Sequence, residues 1–255
     1  MSLVAITREL SPSIGRCELT HLERQVIDVS IAREQHHRCE GCLADLGCEI
    51  HRLPVEPDLP DSVFVEDIAI VLDELAIITR PGAESRRPET QSVAKGLEPY
   101  RELFYIESPG TLDGGDVLHI DNKLFVGLSG RSNKAGIRQL HTLVSPFGYA
   151  VEALGVRGCL HLKSAVTQVA GDALLINRAW VDAIPFIGID LIDVDPTESF
   201  GGNALLVGES VVYPLAYPRT RERLENRGIT VRAVDVSEIA KAEGGVTCCS
   251  LILKV

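Results

Sequence analysis

The chain carries no excess of basic residues: Lys and Arg total 25 against 36 Asp and Glu, a formal net charge of −11. A protein that grips a phosphate backbone needs a basic stripe, so nucleic acid is excluded as the expected partner. No apolar run approaches the roughly 20 residues that a spanning helix requires, and the N-terminus lacks the basic-then-apolar build of a signal peptide. No membrane partner is therefore expected. The seven cysteines are an odd number, which argues against a disulfide framework and for a reducing, cytoplasmic location. No Pro/Gly-rich or low-complexity stretch divides the sequence. What is present is 255 residues, 45% hydrophobic and 24% charged, an ordinary globular composition able to bury a real core. A single domain over 1–255 is expected, and an acidic balance favours a cationic small molecule as ligand.

Strand-like runs dominate. Residues 62–80 read as two strands turning at Asp73-Glu74, 115–128 turn at Asp121-Asn122, and 202–215 turn at Gly208-Glu209. Helices are expected over about 20–46, 84–99, 132–146 and 217–227. The hairpins align: Asp67, Asp116, Ser164, Asn203 and Cys249 each follow a loop and precede an apolar strand, recurring every roughly 40–50 residues. Accidental likeness among short hairpins is the plainer explanation, but five markers spanning nearly the whole chain favour hairpin-plus-helix units arranged around an axis. In such a ring, residues at one register in successive units become neighbours.

Register then nominates chemistry. Asp113 stands three before Asp116 and His161 three before Ser164, which pairs a carboxylate with an imidazole suited to general acid–base work. A lone His is more often structural; the aligned Asp113 tips the reading toward function. If 248–255 is a strand, Cys249, Leu251, Leu253 and Val255 share a core face and Cys248 points away, a placement suited to a nucleophilic thiol. Glu243-Gly244-Gly245 and Asp113-Gly114-Gly115 pair glycines at a tight turn or a close backbone approach. Asp61, Glu66 and Asp67 lie among Val63, Phe64, Val65 and Ile68, so they are expected to be partly buried and to need a partner, for which a guanidinium fork is suited. His36, His37, Cys39, Cys42, Cys48 and His51 superficially resemble a zinc site, although Cys39 and Cys42 fall at core positions of a helix.

Taken together, LPDSVFVED (59–67), ITRPGAESRR (78–87), LDGGDVL (112–118), FVGLSGRSN (125–133), LHLKS (160–164) and GGVTCCS (244–250) resemble the dimethylarginine dimethylaminohydrolases of the guanidino-group-modifying superfamily. The resemblance covers essentially the whole chain. It implies an α/β fold, a five-bladed α/β propeller around a pseudo-fivefold axis. It also implies hydrolysis of N-omega-methylated arginines to citrulline and an amine through a cysteine thiouronium, with no metal or organic cofactor. By the same resemblance Cys248 is the nucleophile, His161 the proton donor and later base, and Asp113 its orienting partner. Asp67 with Glu66 holds the guanidinium, and Arg86 and Arg131 lie near the substrate carboxylate. Asp61, with main-chain groups at Leu19 and Ala242, positions the amino-acid end, and Glu243 is a further substrate-binding residue. Leu19 is the loosest match, and Gly130 replaces a basic residue found in some relatives. A homodimer is the candidate assembly. A sibling hydrolase acting on arginine or citrulline, or a zinc protein built on Cys39, Cys42 and Cys48, are the alternatives.

Overall fold

The computed structural model describes residues 2–255. Its strands form five three-stranded sheets built to one plan, and each sheet is separate, none closing on itself. In the second unit, β3 (Ala69–Val71) runs antiparallel to β4 (Leu75–Ile78), which pairs in parallel with β5 (Glu102–Tyr105) after the helix α2 (Thr90–Leu97). The third unit repeats this with β6 (Val117–Ile120), β7 (Lys123–Leu128), α3 (Lys134–Val144) and β8 (Ala150–Gly155). The fourth uses β9 (Val166–Ala170), β10 (Ala173–Ile176) and β11 (Asp190–Asp193), with a short 3-10 turn in place of the crossover helix. The fifth uses β12 (Leu205–Val207), β13 (Ser210–Pro214), α5 (Pro218–Asn226) and β14 (Thr230–Val234). The first unit takes its outer pair, β1 (Leu3–Arg8) and β2 (Cys48–Leu53), from one end of the chain, with α1 (Val29–Asp45) between them. Its antiparallel strand, β15 (Leu251–Lys254), comes from the other end.

The middle strand of each sheet is apolar on both faces because it serves two cores at once. In β4, Ala76 and Ile78 pack toward the first unit while Leu75 and Ile77 pack toward the third. In β10, Leu174 and Ile176 face the third unit, and Ala173 and Leu175 the fifth. The series closes: Ala5 and Cys48 of the first unit share a cluster with Val212 and Val234 of the fifth. Five hydrophobic clusters thus sit between five units in a pseudo-fivefold arrangement, an α/β fold of repeated hairpin-plus-helix units.

Several expected boundaries shift. The helix expected from residue 20 starts at Val29, where the Asp28 carboxylate caps the amides of Ser30 and Ile31. Pro88 sits in a 3-10 segment (Glu84–Glu89), leaving α2 to begin at Thr90. The strand expected from 62 starts only at Ala69, because Val65–Ile68 form a 3-10 turn. Residues 246–249 are likewise a turn and not part of a strand, and Val255 is 45% exposed, outside the core. No helix among the described residues is long and apolar enough to cross a membrane.

Candidate active site

The turns that precede the antiparallel strands converge. Asp67 lies in the 3-10 turn before β3, and Asp113 and Asp116 frame another before β6. His161 stands just before the four-residue helix α4 (Leu162–Ala165) that leads into β9, and Cys248 sits in the turn before β15. The chain bends at 158–161 into this short helix, and His161 owes its direction to its place at the helix start. Its Nε2 meets Asp113 Oδ2 at 3.0 Å and its Nδ1 faces Asp67 Oδ1 at 3.6 Å. Asp113 is fixed in turn by the Gly82 amide, which donates to Oδ1 at 2.8 Å. Burial works against a charged imidazole, but Asp67, Asp113 and Asp116 outweigh it and push His161 up to about 9. At neutral pH the ring is an imidazolium held between carboxylates.

His161 and Cys248 line one cavity of about 210 Å³, together with Glu66, Lys163, Glu243 and Thr247. A chamber of about 20 Å³ also lined by His161 and Cys248 brings in Asp61, Asp67, Arg86, Arg131, Ala242 and Glu243. Leu19, nominated for its main-chain group, is not among the residues that line either space. Its half-buried side chain packs on a hydrophobic cluster, and its neighbours Glu18, His21 and Leu22 form the cavity walls. Cys248 Sγ accepts the Gly245 amide at 3.2 Å, yet burial and the Glu66 and Asp67 charges push its thiol up to about 12. Cys249 is buried in the core cluster behind it.

The acids are more fully partnered than the sequence suggested. The guanidinium expected beside Asp67 is the chain's own: Arg86 Nη1 donates to Asp67 Oδ2 at 2.6 Å, and its other nitrogens are taken by Glu89 and the carbonyls of Asp61 and Phe64. Arg86 is thus buried and largely spent on the protein, which leaves Arg131, 3.9 Å from Asp113, as the freer cation of the chamber. Burial tends to raise Asp67, but His161 and Arg86 hold it below the usual carboxylate range. Burial raises Asp61 and lifts Glu89 to about 7. Glu66 accepts Lys163 Nζ and Thr247 Oγ1, each at 2.6 Å, and these three side chains also line a second cavity of about 220 Å³. Sequence reasoning missed Lys163, Thr247, Glu89 and Asn203, whose side-chain amide holds Thr247 Oγ1 at 2.9 Å. Lys163 and Thr247 stood inside the motifs, beside the residues that drew attention.

Among the described residues, Asp67, Asp113 and His161 are the single group spaced to share a metal ion. The two ring nitrogens face different carboxylates, Nε2 toward Asp113 and Nδ1 toward Asp67, an arrangement that also suits a proton held on the ring. Cys39 and Cys42 pack against the cluster that contains Cys17, Cys48 and Cys249, as core residues would.

Five α/β units around a thiol, an imidazolium and a set of buried acids define the class of guanidino-group-modifying enzymes. The family model for the eukaryotic N,N dimethylarginine dimethylhydrolases matches residues 18–180. An N(G),N(G)-dimethylarginine dimethylaminohydrolase of Streptomyces coelicolor is 39% identical, with 98% of this chain and 96% of the relative aligned. Its counterpart from Pseudomonas aeruginosa is 36% identical over 88% and 89%. The solved structure of a cysteine-to-serine mutant of the Pseudomonas aeruginosa enzyme, complexed with citrulline, superimposes with a TM-score of 0.93 at 33% identity, covering 99% of this chain and all of that one. The chain belongs to the dimethylarginine dimethylaminohydrolase family.

Proposed function

We propose that the protein hydrolyses N-omega-methylated arginines to citrulline and a methylamine, with Cys248 as nucleophile and His161 as acid and then base. The observation that carries this is the pairing of a thiol and a carboxylate-clamped imidazolium on one cavity rich in acids. Along the two spaces Glu18, Asp61, Glu66, Asp67, Asp235 and Glu243 stand against the cations Arg86, Arg131, Lys163 and His161, an imbalance that favours a cationic guest.

At rest Cys248 is a thiol. A guanidinium bound beside Asp67 and Glu66 offsets the charges that raise the thiol, so substrate itself promotes loss of the proton to solvent. The thiolate attacks the guanidinium carbon, and His161 gives its proton to the departing amine, leaving a thiouronium on sulfur. The now neutral imidazole takes a proton from water, whose oxygen adds to the same carbon. Collapse expels the thiolate and releases the ureido product. Arg131 receives the substrate carboxylate, and Asp61 and the Ala242 carbonyl are placed for the α-amine. Each positioned proton transfer contributes about 10²–10⁴-fold, and orientation much of the rest.

The same reading takes the five units as blades of an α/β propeller and 1–255 as one catalytic domain, supported by the union of both chain ends in the first sheet. The test is turnover of dimethylarginine, monomethylarginine, arginine and citrulline by protein freed of metal with a chelator. Citrulline formation from the methylated arginines at the highest kcat/KM is expected. Preference for arginine or citrulline would move the protein to a sibling activity, and activity that returns only with added zinc would overturn the mechanism.

A further inference from the structure

The acids nearest the expected amino-acid end of a substrate already hold part of the protein. Segment 18–22 crosses the cavity, Glu18 lining the inner chamber and His21 and Leu22 the outer one. Three successive amides of this segment, those of Thr20, His21 and Leu22, donate to the single carboxylate of Glu243, Thr20 at 3.1 Å and Leu22 at 2.6 Å. Both carboxylate oxygens are engaged. Glu243 stands at φ 58°, a backbone conformation that a residue other than glycine holds only when its surroundings enforce it. It lies five residues before Cys248, so the segment is tied to the chain just ahead of the turn that carries that thiol.

We propose that Glu243 is a positioning residue, a latch that holds segment 18–22 closed over the cavity and controls substrate entry through that segment, not by contact with substrate. A substrate ammonium seeking this carboxylate would compete with three charge-assisted hydrogen bonds already made.

The test compares Glu243→Ala and Glu243→Gln with the parent protein. Exposed Arg16 and Arg24 flank the segment, and exposed Arg178 lies in another unit. In substrate-free protein, trypsin is expected to cut after Arg16 and Arg24 at least about tenfold faster in Glu243→Ala, with cutting at Arg178 unchanged. Glu243→Gln, which keeps one acceptor oxygen, is expected to fall between. Iodoacetamide should alkylate Cys248 faster in the same order. With dimethylarginine, KM should rise while kcat changes by less than about threefold. This last arm rests on the methylarginine reading; the cleavage and alkylation arms do not, so failure of one is distinguishable from failure of the other. Unchanged cleavage with a raised KM would mean direct substrate contact and overturn the latch. Faster cleavage at all three arginines would mean general loosening and overturn it too.

Discussion

Cys248 and Cys249 adjoin in the chain but differ in surroundings, one on the cavity wall and one in the hydrophobic cluster behind it. Cys248→Ser is expected to abolish turnover while still binding substrate, and Cys249→Ser to lower thermal stability with activity retained. Mass spectrometry of protein quenched during turnover should place the adduct on Cys248, and an adduct on Cys249 would refute the assignment. Strand parity pointed to Cys248 by a route the structure does not follow, since both cysteines lie in a turn; Leu251 and Leu253 do obey the parity and are buried. The Asp113–His161 pair was legible because repeat register aligned the two. Lys163 and Thr247 were not, because they reach Glu66 from 97 and 181 residues away and register does not say which side chain extends across the centre. For His161, a folded pKa raised to about 9 stabilises the folded chain fully below the usual ~6.5, and this contribution is lost as pH rises through about 9. Asp113→Asn should lower the imidazole midpoint followed by NMR, and its stability deficit relative to the parent should shrink as pH rises through 9. An unmoved midpoint would remove Asp113 from its role.

At the scale of the element, the site is made of turns that alternate apolar residues as strands do. That is why 62–68 reads as a strand: Val63 and Val65 are both fully buried, but Val63 lies in a turn and Val65 opens the 3-10 segment that carries Glu66 and Asp67 toward the centre. The glycine pair at 114–115 marks a close approach. A Cβ on Gly115 would lie 2.6 Å from both Asp67 Oδ1 and His161 Nδ1, so only a glycine lets this turn pass beneath the imidazole. Gly115→Ala is expected to reduce kcat by about 10²-fold, the loss typical of an ångström-scale misplacement, with the circular dichroism spectrum unchanged. A fully active alanine variant would show that the ring and carboxylate give way freely.

At the scale of the molecule, the five clusters between units make each unit half of two cores. Leu253 of β15 is 2% exposed in the cluster shared by the first and second units. Leu253→Ala is expected to cost about 2–5 kcal/mol, and denaturant should unfold the variant in one transition at a lower midpoint. Two transitions, with four units surviving the loss of the first, would contradict a single cooperative domain. The fivefold plan was legible because a loop leading into an apolar strand recurs at Asp67, Asp116, Ser164, Asn203 and Cys249. The crossover in the fourth unit, an irregular segment with a 3-10 turn, has no periodic signal to read.

The first sheet joins the two ends of the chain, and this bears on when the protein becomes reactive. A ribosome delivers residues in order, so Asp67, Asp113 and His161 all emerge before the thiol they are to work with. Cys248 follows them all, and the strand just behind it pairs with β1, which is made before any of them. The growing chain therefore lacks the full set of these groups until Cys248 has emerged and β15 has joined the strand made long before it.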